Sequence, residues 1–283
     1  MTPNLRGSLF MVASMAGFAV EDFFLKSVSR VMPVGQAILL MGLVGMLVFA
    51  LAARAAGDAA LPRAVLSRTM VLRSAFEIVG RLFYALAVAL TPISSASAIL
   101  QATPLLVVLG AALIFGERVG LWRWGLILLG FVGVLIIIRP GVEGFSALSL
   151  LALIAMAGFA GRDLATRAAP PALSNAQLGV VGFLMLALSG LVILVVGGGA
   201  RLPDAHGLAL LSGATVFGIA GYAALTQAMR LGQVAVVTPF RYTRLLFALV
   251  IGVLAFGERP DAATLAGSAL IVLCGVILLT RRA

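Results

Sequence analysis

Residues 15–26 read MAGFAVEDFFLK, and residues 156–167 read MAGFAGRDLATR. One phrase is written twice, 141 positions apart, with an Asp at the same place and a basic residue closing both copies. The offset holds far beyond the phrase. Gln36 maps onto Gln177, Leu61–Pro62 onto Leu202–Pro203, Gly80 onto Gly221, and the FGER of Phe115–Arg118 onto that of Phe256–Arg259. A constant shift over that distance marks an internal repeat. The halves are 1–141 and 142–283.

The repeat is built for lipid. The chain is 62% hydrophobic and 11% charged, with mean hydropathy +1.17, against about a quarter charged in a soluble domain. Ten stretches are long and apolar enough to cross a bilayer as helices, near 8–29, 34–55, 69–90, 94–115, 121–138, 146–168, 176–197, 207–229, 235–256 and 262–280. Runs such as LLVVLGAALIFG do not alternate as barrel strands do. The expected fold is an all-α membrane protein. The first apolar segment carries Glu21, Asp22 and Lys26 and is too long for a cleaved signal, so the chain is expected to insert whole.

Five spans per half is odd, so the second half enters from the opposite side. That predicts two inverted five-helix repeats related by a pseudo-two-fold axis in the membrane plane. Lys and Arg in the gaps and at the adjoining helix ends divide twelve to five between the two sides, which predicts both termini in the cytoplasm of a bacterial inner membrane. Trp122 and Trp124 suit an interface anchor for the fifth span. The net charge of +10 lies in loops and helix ends rather than on a soluble basic face, so nucleic acid is not an expected partner. The expected partners are lipid and a small-molecule substrate, in a monomer or weak dimer. The lone Cys274 excludes an internal disulfide and reads as buried filler.

Ten helices in two inverted halves, each with a GER box after its fourth span, resemble the EamA family of the drug/metabolite transporter superfamily, over nearly the whole chain. The first copy, ATPLLVVLGAALIFGER, has Pro104 twelve residues before Gly116. The second, RYTRLLFALVIGVLAFGER, departs from it. Leu245 stands at the proline position, and Pro239 lies about two turns earlier. The resemblance implies export of small metabolites from a bacterial cytoplasm. Within the superfamily the chain resembles the YddG-type branch, a resemblance that implies amino acids, aromatic ones and methionine foremost, as substrates.

Charge inside a span costs on the order of 3 kcal/mol and should face protein or a water-filled cavity. Arg81, Arg241 and Arg244 are read as the basic residues within spans. Glu77 and Arg81 are four apart and share a face. They are either a neutralised pair that makes the helix tolerable or a cavity pair that meets a zwitterion or a proton. Glu77 is read as the acid nearest mid-depth and the first candidate for proton coupling. In TPFRYTR, residues 238–244, Arg241 and Arg244 share a face beside Tyr242, and Pro239 interrupts the helix. Arg244 and Glu77 lie roughly 14 and 12 Å from the inner ends of their helices, so a bridge between spans 3 and 9 is open. Arg241 snorkelling to headgroups is the alternative.

Ser94, Ser97 and Gln101 share a sector of span 4, with Gln101 the better cavity candidate. Tyr84 and Tyr222 offer an aromatic wall or plain packing. Glu21 and Asp22 are expected at the outer mouth, and Arg162 and Asp163 at the inner mouth, as gating charges or as ordinary helix-end charges. Gly17 and Gly158 are expected at close helix crossings. An enzyme is not expected. The one histidine, His206, is in a loop, and HExxH, GxSxG and cysteine-pair motifs are missing, as is a phosphate-binding loop for a pump. No cofactor is expected. A channel lacks support from any filter or charge ring.

Overall fold

The computed structural model describes residues 1–90, 99–138, 148–256 and 260–280. They form ten helices: α1 Pro3–Val28, α2 Val34–Ala55, α3 Arg68–Leu90, α4 Thr103–Phe115, α5 Leu121–Ile138, α6 Ser149–Arg167, α7 Asn175–Gly197, α8 Ala205–Arg230, α9 and α10 Ala262–Thr280. Helix α9 is broken. Val234–Val237 and Thr243–Phe256 are joined by the 3-10 turn Thr238–Tyr242, with Pro239 in its first turn. Proline lacks the N–H that an α-helix would use there, so the backbone tightens locally.

Local chemistry explains the ends. Thr2 accepts a hydrogen bond from Leu5 N at 3.3 Å, with Pro3 following as the first helical residue. Ser174 and Gln177 form a reciprocal capping box on α7. Asp204 accepts from Gly207 N at 2.7 Å to start α8. Gly116 of the first GER box ends α4 at φ +65°, a left-handed position that a side chain would strain.

The halves are interlocked by pairs of equivalent helices. Along α2 and α7, Gly35 meets Leu194, Leu39 meets Gly190, Gly42 meets Ala187, Gly45 meets Phe183 and Phe49 meets Gly179. One number rises as the other falls, so these repeat-equivalent helices run antiparallel. Gly133 against Gly267 and Ile271, and Gly130 against Cys274, give the same sense for α5 and α10. Antiparallel packing of equivalent helices is the geometry of an inverted repeat. The crossings expected at Gly17 and Gly158 are present. A Cβ at Gly17 would lie 3.0 Å from Gly221 Cα on α8, and one at Gly158 would lie 2.6 Å from Gly80 N on α3. These two crossings are each other's equivalents.

The repeat also fastens its loops. Gln36 donates to Arg201 O at 2.5 Å and accepts from Arg201 N at 2.9 Å, while its equivalent Gln177 donates to Ala59 O at 2.8 Å. Each half thus holds a loop of the other.

Among the described residues, six spans are long and apolar enough to cross a membrane: α1, α2, α6, α7, α8 and α9 as Val234–Leu254. Leu43, Leu47 and Leu51, one turn apart on α2, are each about half exposed and form part of an outward apolar belt. Helix α3 is 23 residues long but too charged to join the six, because it carries the buried cluster described below. Ser94, Ser97 and the second GER triplet, residues 257–259, lie outside the described residues.

With Cys274 replaced by Ala, single cysteines at Ala60 and at Ala200 are expected to react with a membrane-impermeant maleimide from opposite faces of intact vesicles. Labelling from one face alone refutes the inversion.

Candidate functional site

Arg73, Glu77 and Arg81 stand four residues apart on one face of α3. The Glu77 carboxylate is fully buried. Arg81 Nε donates to its Oε1 at 3.0 Å, and Arg162 Nη1 of α6 donates to both oxygens at 3.3 and 3.2 Å. The Tyr222 hydroxyl of α8 donates to Oε2 at 3.4 Å. Arg73 donates to that hydroxyl and, through Nε, to Thr166 Oγ1 at 2.9 Å. The Tyr222 ring reaches this place because residue 182 on α7 is glycine. A Cβ there would sit 1.8 Å from the phenol oxygen.

The ion pairs continue across the molecule. Arg162 Nε lies 2.7 Å from Asp163 Oδ1, and Arg241 of the broken helix pairs with Asp163 Oδ2. Arg81, Glu77, Arg162, Asp163 and Arg241 therefore form one chain from α3 through α6 to α9. A second pair lies beside it. Arg244 donates through Nη2 at 2.5 Å and Nε at 3.0 Å to Asp22 Oδ2 on α1, with its guanidinium 5.6 Å from the centre of the Phe18 ring. Asp22 and Asp163 hold the same position in the repeated phrase. Each receives one arginine from α9.

The ion-pair chain is most buried at Glu77 and Asp163, and the second pair beside it is the more exposed of the two. The side chains of Asp22 and Arg244 are 51% and 36% exposed, Arg81 is 26%, Arg241 14%, Arg162 7% and Glu77 0%. The opening thus lies toward the C-terminal half of α1. The other end is closed by Met11, Met15, Val107, Leu225, Met229 and Val237, packed together between α1, α4, α8 and α9. Arginines clamp that closed end. Arg167 donates to the carbonyls of Arg230 and Leu231 at 3.1 and 3.2 Å, and Arg230 donates to Leu173 O at 2.7 Å. Glu117 of the first GER box accepts from the Val234 and Ala235 N–H groups, both at 3.2 Å, and so caps the first segment of α9.

Most of the site residues expected from sequence meet here, with four corrections. The direct bridge from Glu77 to Arg244 is replaced by a route through Arg162 and Asp163, because α6 lies against α3. Arg162 and Asp163, expected as mouth charges, are buried within the ion-pair chain. Arg73, counted from sequence as a loop residue, is wholly buried on α3; its four-residue spacing from Glu77 was the available signal. Tyr242 turns away from its neighbouring arginines. It packs with Val134 and Ile271 and borders a separate apolar cavity of ≈ 150 Å³ that Gly130 and Cys274 also line. Successive helical side chains diverge by a steep angle, so sequence adjacency did not bring it into the site.

Tyr84 is 38% exposed, with its ring edge-on to Phe159 at 6.2 Å. Gln101 stands at the turn before α4, with its Nε2 unbonded. Glu21 makes neither a hydrogen bond nor an ion pair among the described residues; its carboxyl lies on Gly218 of α8.

The comparisons with known proteins agree with this architecture. Residues 5–139 and 147–281 each match the EamA-like transporter family. The chain belongs to that family. It is a secondary transporter of small metabolites and not an enzyme. It is 27% identical over 277 residues to the pseudopaline exporter of Pseudomonas aeruginosa, covering 96% of this chain and 95% of that protein. It is 30% identical over 183 residues to a riboflavin transporter of Vibrio cholerae, 64% of this chain and 61% of the relative. An S-adenosylmethionine uptake transporter of Rickettsia prowazekii is 23% identical over 205 residues, 71% and 68% of the two chains. A crystal structure at 20% identity superposes with a TM-score of 0.81 over 97% of this chain and 96% of the other, a likeness of fold.

Glu77→Gln removes the anion that holds Arg81 and Arg162 together and accepts from Tyr222. It is expected to lower stability by about 3–5 kcal/mol, the cost of leaving buried charge unpaired. Asp22→Asn, at a half-exposed pair, is expected to cost about 1 kcal/mol or less. Thermal melting of the purified variants in detergent checks the order; equal melting points contradict it.

Proposed function

We propose that this transporter exports small carboxylate-bearing metabolites, with amphipathic amino acids such as the aromatic ones and methionine first among them. It acts from the bacterial cytoplasm across the inner membrane by alternating access. The two halves, 1–141 and 142–283, supply the inverted units, with both termini cytoplasmic. In that orientation the conformation described above is open outward and closed inward.

One observation carries the substrate class. Among the described residues, the cluster of Arg81, Arg162 and Arg241, with Arg73 joined through Tyr222, holds two carboxylates, Glu77 and Asp163. The surplus is cationic, and a substrate carboxylate would offset it in a region of low dielectric. Arg81 is the best placed to receive one. Its Nε is committed to Glu77, whereas its terminal nitrogens make no hydrogen bond among the described residues and its side chain is partly exposed. Arg244 spends both of its hydrogen bonds on a single oxygen of Asp22. Phe18, Tyr84 and Phe159 stand beside these groups and offer apolar faces for a side chain.

The relatives name other cargoes, so the test is a panel. Proteoliposomes of the pure protein are loaded with unlabelled substrate and assayed for counterflow of labelled phenylalanine, methionine, riboflavin and S-adenosylmethionine. Saturable counterflow of an amino acid supports the proposal. Counterflow of riboflavin or S-adenosylmethionine alone overturns the amino-acid assignment. Arg81→Gln is expected to raise the KM for a carboxylate substrate at least tenfold, about 1.4 kcal/mol of binding, with smaller change in maximal rate. An unchanged KM removes Arg81 from the site.

A further inference from the structure

Glu77 has three side-chain donors on its carboxylate, and the repeat shows which carboxylate lacks them. With the offset of 141, Glu21 is the equivalent of Arg162, and Gly218 is the equivalent of Glu77. In one half of the molecule this pair of positions holds Arg162 against Glu77, 3.2 Å apart. In the other half the same pair holds Glu21 against Gly218, where a Cβ would lie 3.1 Å from the Glu21 carboxyl carbon. The pseudo-two-fold has placed a carboxylate at a helix crossing and removed the partner that its equivalent possesses.

We infer that Glu21 is the proton-carrying group of this transporter, and that substrate export is coupled to proton entry through it. The proposal rests on the transport reading above and adds the coupling ion and its site. Glu21 lies against Gly218 of α8, and the charged groups that act on it are Asp22 beside it on α1, Arg81 on α3 and Arg244 on α9. None of the cations comes within ion-pair distance, because Arg244 is held by Asp22 and Arg81 by Glu77. The Glu21 carboxyl, near the membrane interior and beside a second acid, has no hydrogen-bond donor among the described residues, whereas Glu77 has Arg81, Arg162 and Tyr222. Glu21 also lies next to the half-exposed Asp22–Arg244 pair, so water from the open side can deliver the proton.

The step balances simply. The Glu21 carboxylate takes one proton from the open side and becomes a neutral acid; after the transporter reverses, the acid releases that proton to the other side. Protonation removes the negative charge that competes with Asp22 for Arg244. That strengthens the Asp22–Arg244 tie from α1 to α9 in the protonated state. Deprotonation weakens it, and so links the charge of one residue to the packing of the broken helix.

The first test needs no substrate. Infrared difference spectra of the purified protein between mildly acidic and mildly alkaline pH should show a protonated carboxyl C=O band that disappears in Glu21→Gln and persists in Glu77→Gln. A band that survives in Glu21→Gln overturns the assignment. The second test uses proteoliposomes and a substrate established by counterflow. Wild type should accumulate substrate when the lumen is the acidic side. Glu21→Gln should lose at least tenfold of that accumulation while retaining counterflow, and Glu21→Asp should restore part of it. Gradient-driven accumulation by Glu21→Gln overturns the coupling role. A wild-type protein that moves none of the panel overturns the substrate proposal instead and leaves the infrared result standing.

Discussion

A carboxylate at the centre of a membrane protein is tolerable only if other groups take over the work of water, and Glu77 is the point where this requirement is met. Its oxygens receive Arg81, Arg162 and Tyr222, and Arg73 backs Tyr222. Four side chains from three helices have to arrive together, so α3, α6 and α8 cannot shift independently without exposing charge to hydrocarbon. The glycine crossings follow from the same demand. Helices carrying short polar reaches must approach closely, and Gly80 against Gly158 brings α3 and α6 near enough for Arg162 to span the gap.

Inversion then turns one polar phrase to two uses. The aspartate of each copy is kept and receives an arginine from the same interrupted helix, Asp22 from Arg244 and Asp163 from Arg241. The preceding residue has diverged to opposite charge, glutamate in one copy and arginine in the other. The arginine completes the shell of Glu77 and is buried with it. The glutamate faces glycine. A strict two-fold would have two identical half-sites; the substitution of charge at one position makes one side a fixed ion pair and leaves the other carboxylate without an ion-pair partner among the described residues.

Much of this was legible in the sequence because the repeat is long and its offset constant. The ten helices, the Glu77–Arg81 pair and the crossings at Gly17 and Gly158 follow from spacing alone. What spacing hid was partnership. Arg73 lies so near the start of α3 that it resembled a loop charge, although it continues the face of Glu77 and Arg81. Arg162 and Asp163 looked like helix-end charges because the end of α6 is visible in the sequence but the helix packed over it is not. Tyr242 sits between two site arginines in the chain and on a different face of the helix in space. Periodicity fixes which residues share a face. It does not say which neighbour the face meets.

Helix α9 joins these observations to movement. It begins at the closed end, where Glu117 caps its first segment, breaks at Pro239, and presents Arg241 and Arg244 just beyond the break. Its two arginines hold one aspartate from each half. If the halves rock about the site, α9 cannot remain fully bonded to both unless the 3-10 turn bends to absorb the difference. A continuous α-helix would resist that bending along its hydrogen-bond ladder, whereas a proline turn has already given up part of the ladder. The break therefore lies where flexibility is needed and the ion pairs lie where it must be limited, so opening the closed end requires either bending at residues 238–242 or release of one Asp–Arg pair.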